Sequence, residues 1–229
     1  MKKYTLPINT LHIDIENGYG GSSRSLSYLI KNLQSKYIRP EVWVARDGPA
    51  IERNKKNGIN CKLNKNISYI IPIKKKNLLN IIISLPKLFC LFKLAKDIKK
   101  NNHDLLHLNH EGLLPLAFLL KISGYKKKII LHKRSIFFVN FYSSLFLKLI
   151  KYVDGLIFIS DKEKKNLFNL NKTVNIKNEV IYNSYELIDK DKVKIRKKNN
   201  YRAVYLGSFN YYKAPDRIVD LAYETSKAK

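Results

Sequence analysis

The sequence predicts an α/β fold: a doubly wound parallel sheet of Rossmann-like type. Three observations carry this. Short apolar runs alternate with amphipathic segments along most of the chain. Runs such as Lys128-Ile129-Ile130-Leu131 and Gly155-Leu156-Ile157-Phe158-Ile159 are continuously apolar, the pattern of strands buried on both faces. A glycine-rich stretch lies between the first apolar run and the first amphipathic one, where such a sheet turns from strand to helix.

The first strand is expected over 10–16, with Leu11, Ile13 and Ile15 in alternation. Asn17-Gly18-Tyr19-Gly20-Gly21-Ser22-Ser23-Arg24 follows and opens a helix over 23–36 carrying Leu26, Leu29, Ile30 and Leu33. Glycines let backbone N–H groups approach an anion, and the positive helix end then faces it, so Gly20 and Gly21 are candidate phosphate-binding residues. Further strands are expected at 40–46, 67–72, 104–109, 128–132, 155–160 and 178–182, with helices at 48–57, 77–100, 111–123, 137–152 and 161–170. There is no internal repeat. The polar, basic segment 189–200 reads as a linker. Beyond it come one strand, 202–207, and one helix, 214–226, a unit too small to bury its own apolar faces. The expected organisation is therefore an N-terminal domain (1–188), a linker (189–200) and the opening of an incomplete, truncated second domain (201–229).

At 229 residues and 45% hydrophobic content the chain can build a sizeable core. Cys61 and Cys90 have neither disulfide-framework nor metal spacing. The net charge of +26 predicts attraction to nucleic acid, anionic lipid or phosphorylated substrates. Most of the cations are lysine, whereas base and phosphate readout favours arginine forks. The aromatics lie in apolar helices rather than on a stacking strand, which disfavours nucleic acid as a partner. Leu78 to Ile98 and Ile136 to Tyr152 are greasier than a globular helix requires. Neither offers the ~20 apolar residues of a membrane span, and Pro86 and Lys87 break the first. An apolar face with basic flanks suits a helix lying in the membrane interface. Asn9, His12, Asp14 and Glu16 interrupt any signal-peptide core, so the expected location is cytoplasmic, peripheral at the inner face of the cell membrane.

In a parallel sheet the strand ends gather at one rim. That rim collects Gly18–Arg24, then His107, Asn109, His110 and Glu111, then His132, Lys133 and Arg134, then Ser160, Asp161, Asn183 and Ser184. Gly207 and Lys213 follow from the last strand. Histidines, cations and a glycine loop around one crevice suit a phosphorylated, hydroxyl-rich ligand. Two plainer assignments stand beside this. Alternation sets His107 opposite Leu106 and Leu108, as in a core histidine, and Ser160 with Asp161 reads as a helix N-cap. The dinucleotide fingerprint fails at Ser23, and there is no zinc spacing, P-loop or nucleophile elbow. Asp189 and Asp191 lie among linker lysines rather than in a metal site.

These segments, in this order, resemble the retaining glycosyltransferases of family 4, which have the GT-B fold. Gly20-Gly21 with Arg24 looks like that family's N-terminal glycine loop. Asp104 to His110 looks like its D-x-x-H strand end, and Ile130-Leu131-His132 like the strand ending in its active-site histidine. Phe158-Ile159-Ser160-Asp161 looks like its V-S-E junction, and Val180 to Ser184 like its V-I-x-N-G segment. Tyr205-Leu206-Gly207-Ser208 with Lys213 and Asp216 looks like the opening of its donor domain. Ser208 stands where the family usually has Arg, Ala214 and Ser184 replace usual glycines, and the family's paired donor-site glutamates are absent.

The resemblance implies transfer of a sugar from a nucleotide-sugar to a glycan or glycolipid acceptor in surface polysaccharide biosynthesis, without a metal or other cofactor. It gives His132 the catalytic position, Gly20, Gly21 and Lys213 the donor diphosphate, and Arg24, His107, His110 and Arg134 the acceptor. It also implies that the 229-residue chain alone has little or no transferase activity, being either the product of a truncated gene or half of a split enzyme whose C-terminal half is separately encoded. The alternative reading is a basic, non-enzymatic module that binds anionic membrane or nucleic acid.

Overall fold

The structure is a computed structural model that describes residues 7–33, 37–68, 78–134, 147–170, 175–184, 204–207 and 213–227, with backbone only for 78–85. The chain divides into two compact units, Met1–Tyr185 and Glu186–Lys229.

The first unit is built on seven strands: β1 (Ile8–Asp14), β2 (Ile38–Val44), β3 (Asn60–Leu63), β4 (Leu105–Leu108), β5 (Lys128–Lys133), β6 (Gly155–Phe158) and β7 (Lys177–Val180). All pair in parallel, in the order β3-β2-β1-β4-β5-β6-β7. The helices are α1 (Gly21–Leu33), α2 (Pro49–Lys56), α3 (Leu78–Lys100), α4 (Leu114–Ile122) and α5 (Asp161–Leu170). The winding reverses between β1 and β4, and α/β sheets hold ligands outside the strand ends at such a switch point.

Each face of the sheet has its own core. Val42 and Val44 of β2 pack with Leu26 and Ile30 of α1, Ala50 of α2, Ile59 and Cys61. On the opposite face Leu11, Ile13, Leu106, Leu108, Ile129 and Leu131 pack against Leu91, Leu94 and Ile98 of α3 and Leu116 and Leu120 of α4. Full burial of each such side chain contributes roughly 1.5–3 kcal/mol. Leu91, Leu94, Ala95 and Ile98 recur at helical spacing, which is why α3 turns that stripe inward.

Four elements differ from the sequence expectation. The third strand among the described residues is Asn60–Leu63, and residues 67–68 of the strand expected at 67–72 form none. β3 pairs only with β2 at the sheet edge and buries only Cys61, so it needs no apolar run to hold its place. Ile67 enters the core from the turn beyond it, and 69–72 lie outside the described residues. β1 begins and ends two residues earlier than expected, because Asp14 is anchored by Ser23 and Asn109 and the chain leaves the sheet there. Of the helix expected over 137–152, residues 147–149 are helical and Ile150–Tyr152 form a 3-10 turn, while 137–146 lie outside the described residues. In the second unit, α6 (Pro215–Lys227) buries none of its residues, and the described residues 204–207 form no strand where one was expected at 202–207.

The β1–α1 loop is fixed by close backbone approach. Gly18 has φ 100°, and a Cβ there would run into the backbone of Ala50. Ala50 N donates to Asn17 O at 3.0 Å, joining this loop to the start of α2. Gly21 has open space around its Cβ position. Gly18→Ala is therefore expected to cost at least ~2 kcal/mol in urea denaturation, whereas Gly21→Ala stays within about 0.5 kcal/mol of the parent chain.

Candidate functional site

Strand register assembles a polar stripe within the sheet. His12 lies opposite His107, and His107 opposite Ile130. Alternation therefore puts Thr10, His12 and Asp14 of β1 on the same face as His107 and Asn109, and as Ile130, His132 and Arg134. The stripe runs toward the carboxyl ends of the three central strands, on both sides of the switch point.

The three imidazoles form its buried part. His12, His107 and His132 are 3%, 3% and 2% exposed. Ring centroids are 5.0 Å apart for His12–His107 and 5.5 Å apart for His107–His132. Nδ1 of His12 lies 3.0 Å from Nδ1 of His107, and Nε2 of His12 lies 3.0 Å from the Thr10 hydroxyl. Two facing Nδ1 atoms bond only if one carries the proton and the other accepts it, so the pair holds a single proton between them. Burial pushes His12 down from 6.5 to about 3. Burial, and then the Arg134 charge, takes His132 to about 3. Burial drives His107 well below its ordinary range, with His12, His132 and Arg134 adding to the effect. All three rings are neutral at pH 7. Among the described residues, both nitrogens of His132 and Nε2 of His107 have no hydrogen-bond partner.

Toward the rim the stripe becomes a clamp. Arg134 donates from Nε and Nη2 to Asn109 Oδ1 at 3.1 and 2.6 Å, and from Nη1 to Ser25 Oγ at 3.2 Å and Asn183 Oδ1 at 2.9 Å. Its backbone N–H donates to Glu111 Oε2 at 3.1 Å. Ser25 donates to Asn183 at 2.8 Å. One guanidinium thus ties the start of α1 to the ends of β4 and β7. Burial lowers Arg134 to about 10, while Asp14, Glu163, Glu111 and Glu16 hold it up. Asp14 accepts from the Ser23 hydroxyl and, at 3.4 Å, from Asn109. The carboxylate of Glu16 lies in the space a Cβ would take at Gly20.

The remaining expected site residues are dispersed. Arg24 is exposed on α1. Gly21 is exposed, and among the described residues no acceptor meets the N–H groups of Gly21, Ser22 or Ser23. His110 caps the 3-10 turn Glu111–Leu113, its Nδ1 accepting from Gly112 N at 2.9 Å. Ser160 caps α5, accepting from Glu163 N at 3.2 Å, and Glu163 accepts from Ile159 N in return. Lys133 points to the opposite face, buried, with Glu111 and Glu163 opposing the lowering that burial imposes on it. Lys213 is exposed and belongs to the second unit. Among the described residues no three His, Cys, Asp or Glu side chains are placed to hold a metal ion.

His12, Thr10 and Asp14 were not singled out from sequence as site residues. The signal was present: each of β1 and β4 sets one histidine between large aliphatic neighbours, Leu11 and Ile13 in one and Leu106 and Leu108 in the other.

A doubly wound parallel sheet with a glycine loop leaving β1 and a histidine near the end of β5 has the architecture of the N-terminal domain of the GT-B fold. The family model described as Glycosyltransferase Family 4 matches residues 19–187, and the chain belongs to that family. Among solved structures it is similar to Anabaena HepE in complex with UDP and glucose, with TM-score 0.56 and 16% identity over 78% of this chain and 45% of that one. HepE in complex with UDP gives TM-score 0.55 at 15% identity, again over 78% and 45% of the two chains. The lipopolysaccharide outer core galactosyltransferase WaaB, in its apo form, gives 0.52 at 16% identity over 76% and 45%. At such identities the likeness establishes the fold alone. The chain spans less than half the length of these structures. No curated protein matches it.

Proposed function

We propose that this chain is the acceptor-side half of a retaining glycosyltransferase. It would move a sugar from a nucleotide-sugar to a glycan or glycolipid acceptor in surface polysaccharide biosynthesis, working peripherally at the inner face of the cell membrane. The observation that carries this reading is the family match over 19–187, within which Arg134, two residues beyond His132, reaches Ser25 on the helix that the glycine loop opens. HepE, a protein of the same fold, binds UDP and glucose in its structures, which supports a nucleotide-sugar donor here.

In this reaction the bond from the sugar C1 to the diphosphate breaks, and a bond from C1 to the acceptor oxygen forms. The acceptor's proton leaves with the diphosphate. The main demand is to meet the leaving charge with fixed donors. Within the first unit the amides at Gly20 and Gly21 take that part, with no metal. His132, a neutral ring, contacts the sugar or orients the acceptor. His107 and His110 lie on the acceptor side. Arg134 already spends its fork on Asn109, Ser25 and Asn183, so it frames the acceptor side, and exposed Arg24 is the cation offered to an acidic acceptor group. A C-terminal half complementary to this one would complete the donor site.

With that half supplied, His132→Ala is expected to lower transfer about 100-fold or more. Chelation by EDTA leaves the rate unchanged, and the 229-residue chain alone shows little or no transfer. A radiolabelled-sugar assay reads all three. An unchanged rate in the His132 variant removes the role given to that ring, and normal transfer by the chain alone removes the need for a partner half.

A further inference from the structure

The outer face of α3 is neither an ordinary solvated surface nor a core. Leu91, Leu94, Ala95 and Ile98 turn inward. The helical period puts Phe89, Phe92, Lys93, Lys96 and Lys100 on the opposite stripe. Phe89 and Phe92 are 61% and 54% exposed, and Ile122 at the end of neighbouring α4 is 59% exposed. Lys93 Nζ stands 4.6 Å from the Phe89 ring centroid. Lys99 Nζ donates to Ser123 O at 2.7 Å, tying the ends of the two helices together. Between them runs a groove of about 500 Å3 lined by Phe92, Ala95, Lys96, Leu119 and Ile122 among others. The single acidic residue of α3, Asp97, accepts from Asn64 and Asn66 at 3.3 Å each and so faces the turn beyond β3. No helix among the described residues is long and apolar enough to cross a membrane.

We propose that this α3–α4 face docks on an anionic phospholipid surface. Phe89, Phe92 and Ile122 enter the acyl boundary, and Lys93, Lys96 and Lys100 meet lipid phosphates. The argument is charge complementarity: exposed rings beside a lysine cluster that no carboxylate among the described residues pairs with match the depth profile of an anionic leaflet, apolar below and phosphate above. The proposal rests on the membrane association stated above and adds where it occurs.

The test is co-sedimentation with vesicles of phosphatidylcholine, alone or mixed with phosphatidylglycerol. The full chain is expected to pellet with the mixed vesicles only. Changing Lys93, Lys96 and Lys100 to Glu is expected to weaken that binding about 100-fold or more, and Phe89→Ser with Phe92→Ser about 10-fold or more. The control changes Lys55, Lys56 and Lys65 to Glu, the same charge change at the α2 end of the sheet, and is expected to lose less than about 5-fold. All substituted side chains are exposed, so the fold is retained and is checked by circular dichroism. Equal weakening by both lysine triples overturns the location but leaves membrane association standing. No pelleting by the parent chain overturns both, while sugar transfer is read separately by product formation. A dimer in sedimentation equilibrium that dissolves in the double Phe variant makes the face a contact between copies and overturns the proposal.

Discussion

Acid is expected to unfold the first unit well before its carboxylates alone would. His12 and His132 are held neutral, each moved from 6.5 to about 3 by burial. Between those values the unfolded chain binds protons that the folded chain refuses. The stability these rings leave intact is therefore fully present above pH 6.5 and drains away as pH falls toward 3. The loss amounts to about 3 kcal/mol per ring by pH 4. His107 is shifted in the same direction and adds to it. Domains of this kind have roughly 5–15 kcal/mol in total, so losses of this size remove a large share of what holds the unit folded. Urea denaturation at steps from pH 7.5 to 4 measures it. His132→Leu should remove about one proton from the slope, separating the ring from the carboxylates. A flat profile from pH 7 to pH 5 would show that the rings titrate freely in the folded chain.

Arg134→Met is the second large effect. The change strips Asn109, Ser25 and Asn183 of their shared donor and leaves Asp14 without its nearby cation. Loss of a half-buried, charge-assisted network of this size costs about 3 kcal/mol. Arg134→Lys keeps the charge but cannot span three acceptors with a planar fork, so about 2 kcal/mol is expected. Thermal and urea unfolding read both. A methionine variant within about 0.5 kcal/mol of the parent would mean that the strand ends hold their positions without the clamp.

The sheet was largely legible because strands buried on both faces leave continuous apolar runs, and β5 and β6 show this plainly. β3 was not, since an edge strand needs only Cys61 to face inward and its neighbours Lys62 and Leu63 give no β signal. At the site, alternation already opposed His107 to its leucine neighbours. It could not say that His12 would stand across from it, because β1 and β4 are 95 positions apart in the histidine pair and become neighbours only through the strand order. The same holds for Arg134. Its sequence neighbours suggest a cation open to phosphate, and only the fold brings Asn109 and Asn183 within reach of its fork.

The proton shared by His12 and His107 has one more consequence. Water does not touch it while β1 and β4 stay paired, so deuterium replaces it only when the centre of the sheet comes apart. A far-downfield imidazole resonance that persists after transfer to heavy water would thus be a clock built into the molecule, timing the rarest opening of its interior from a single line in a spectrum.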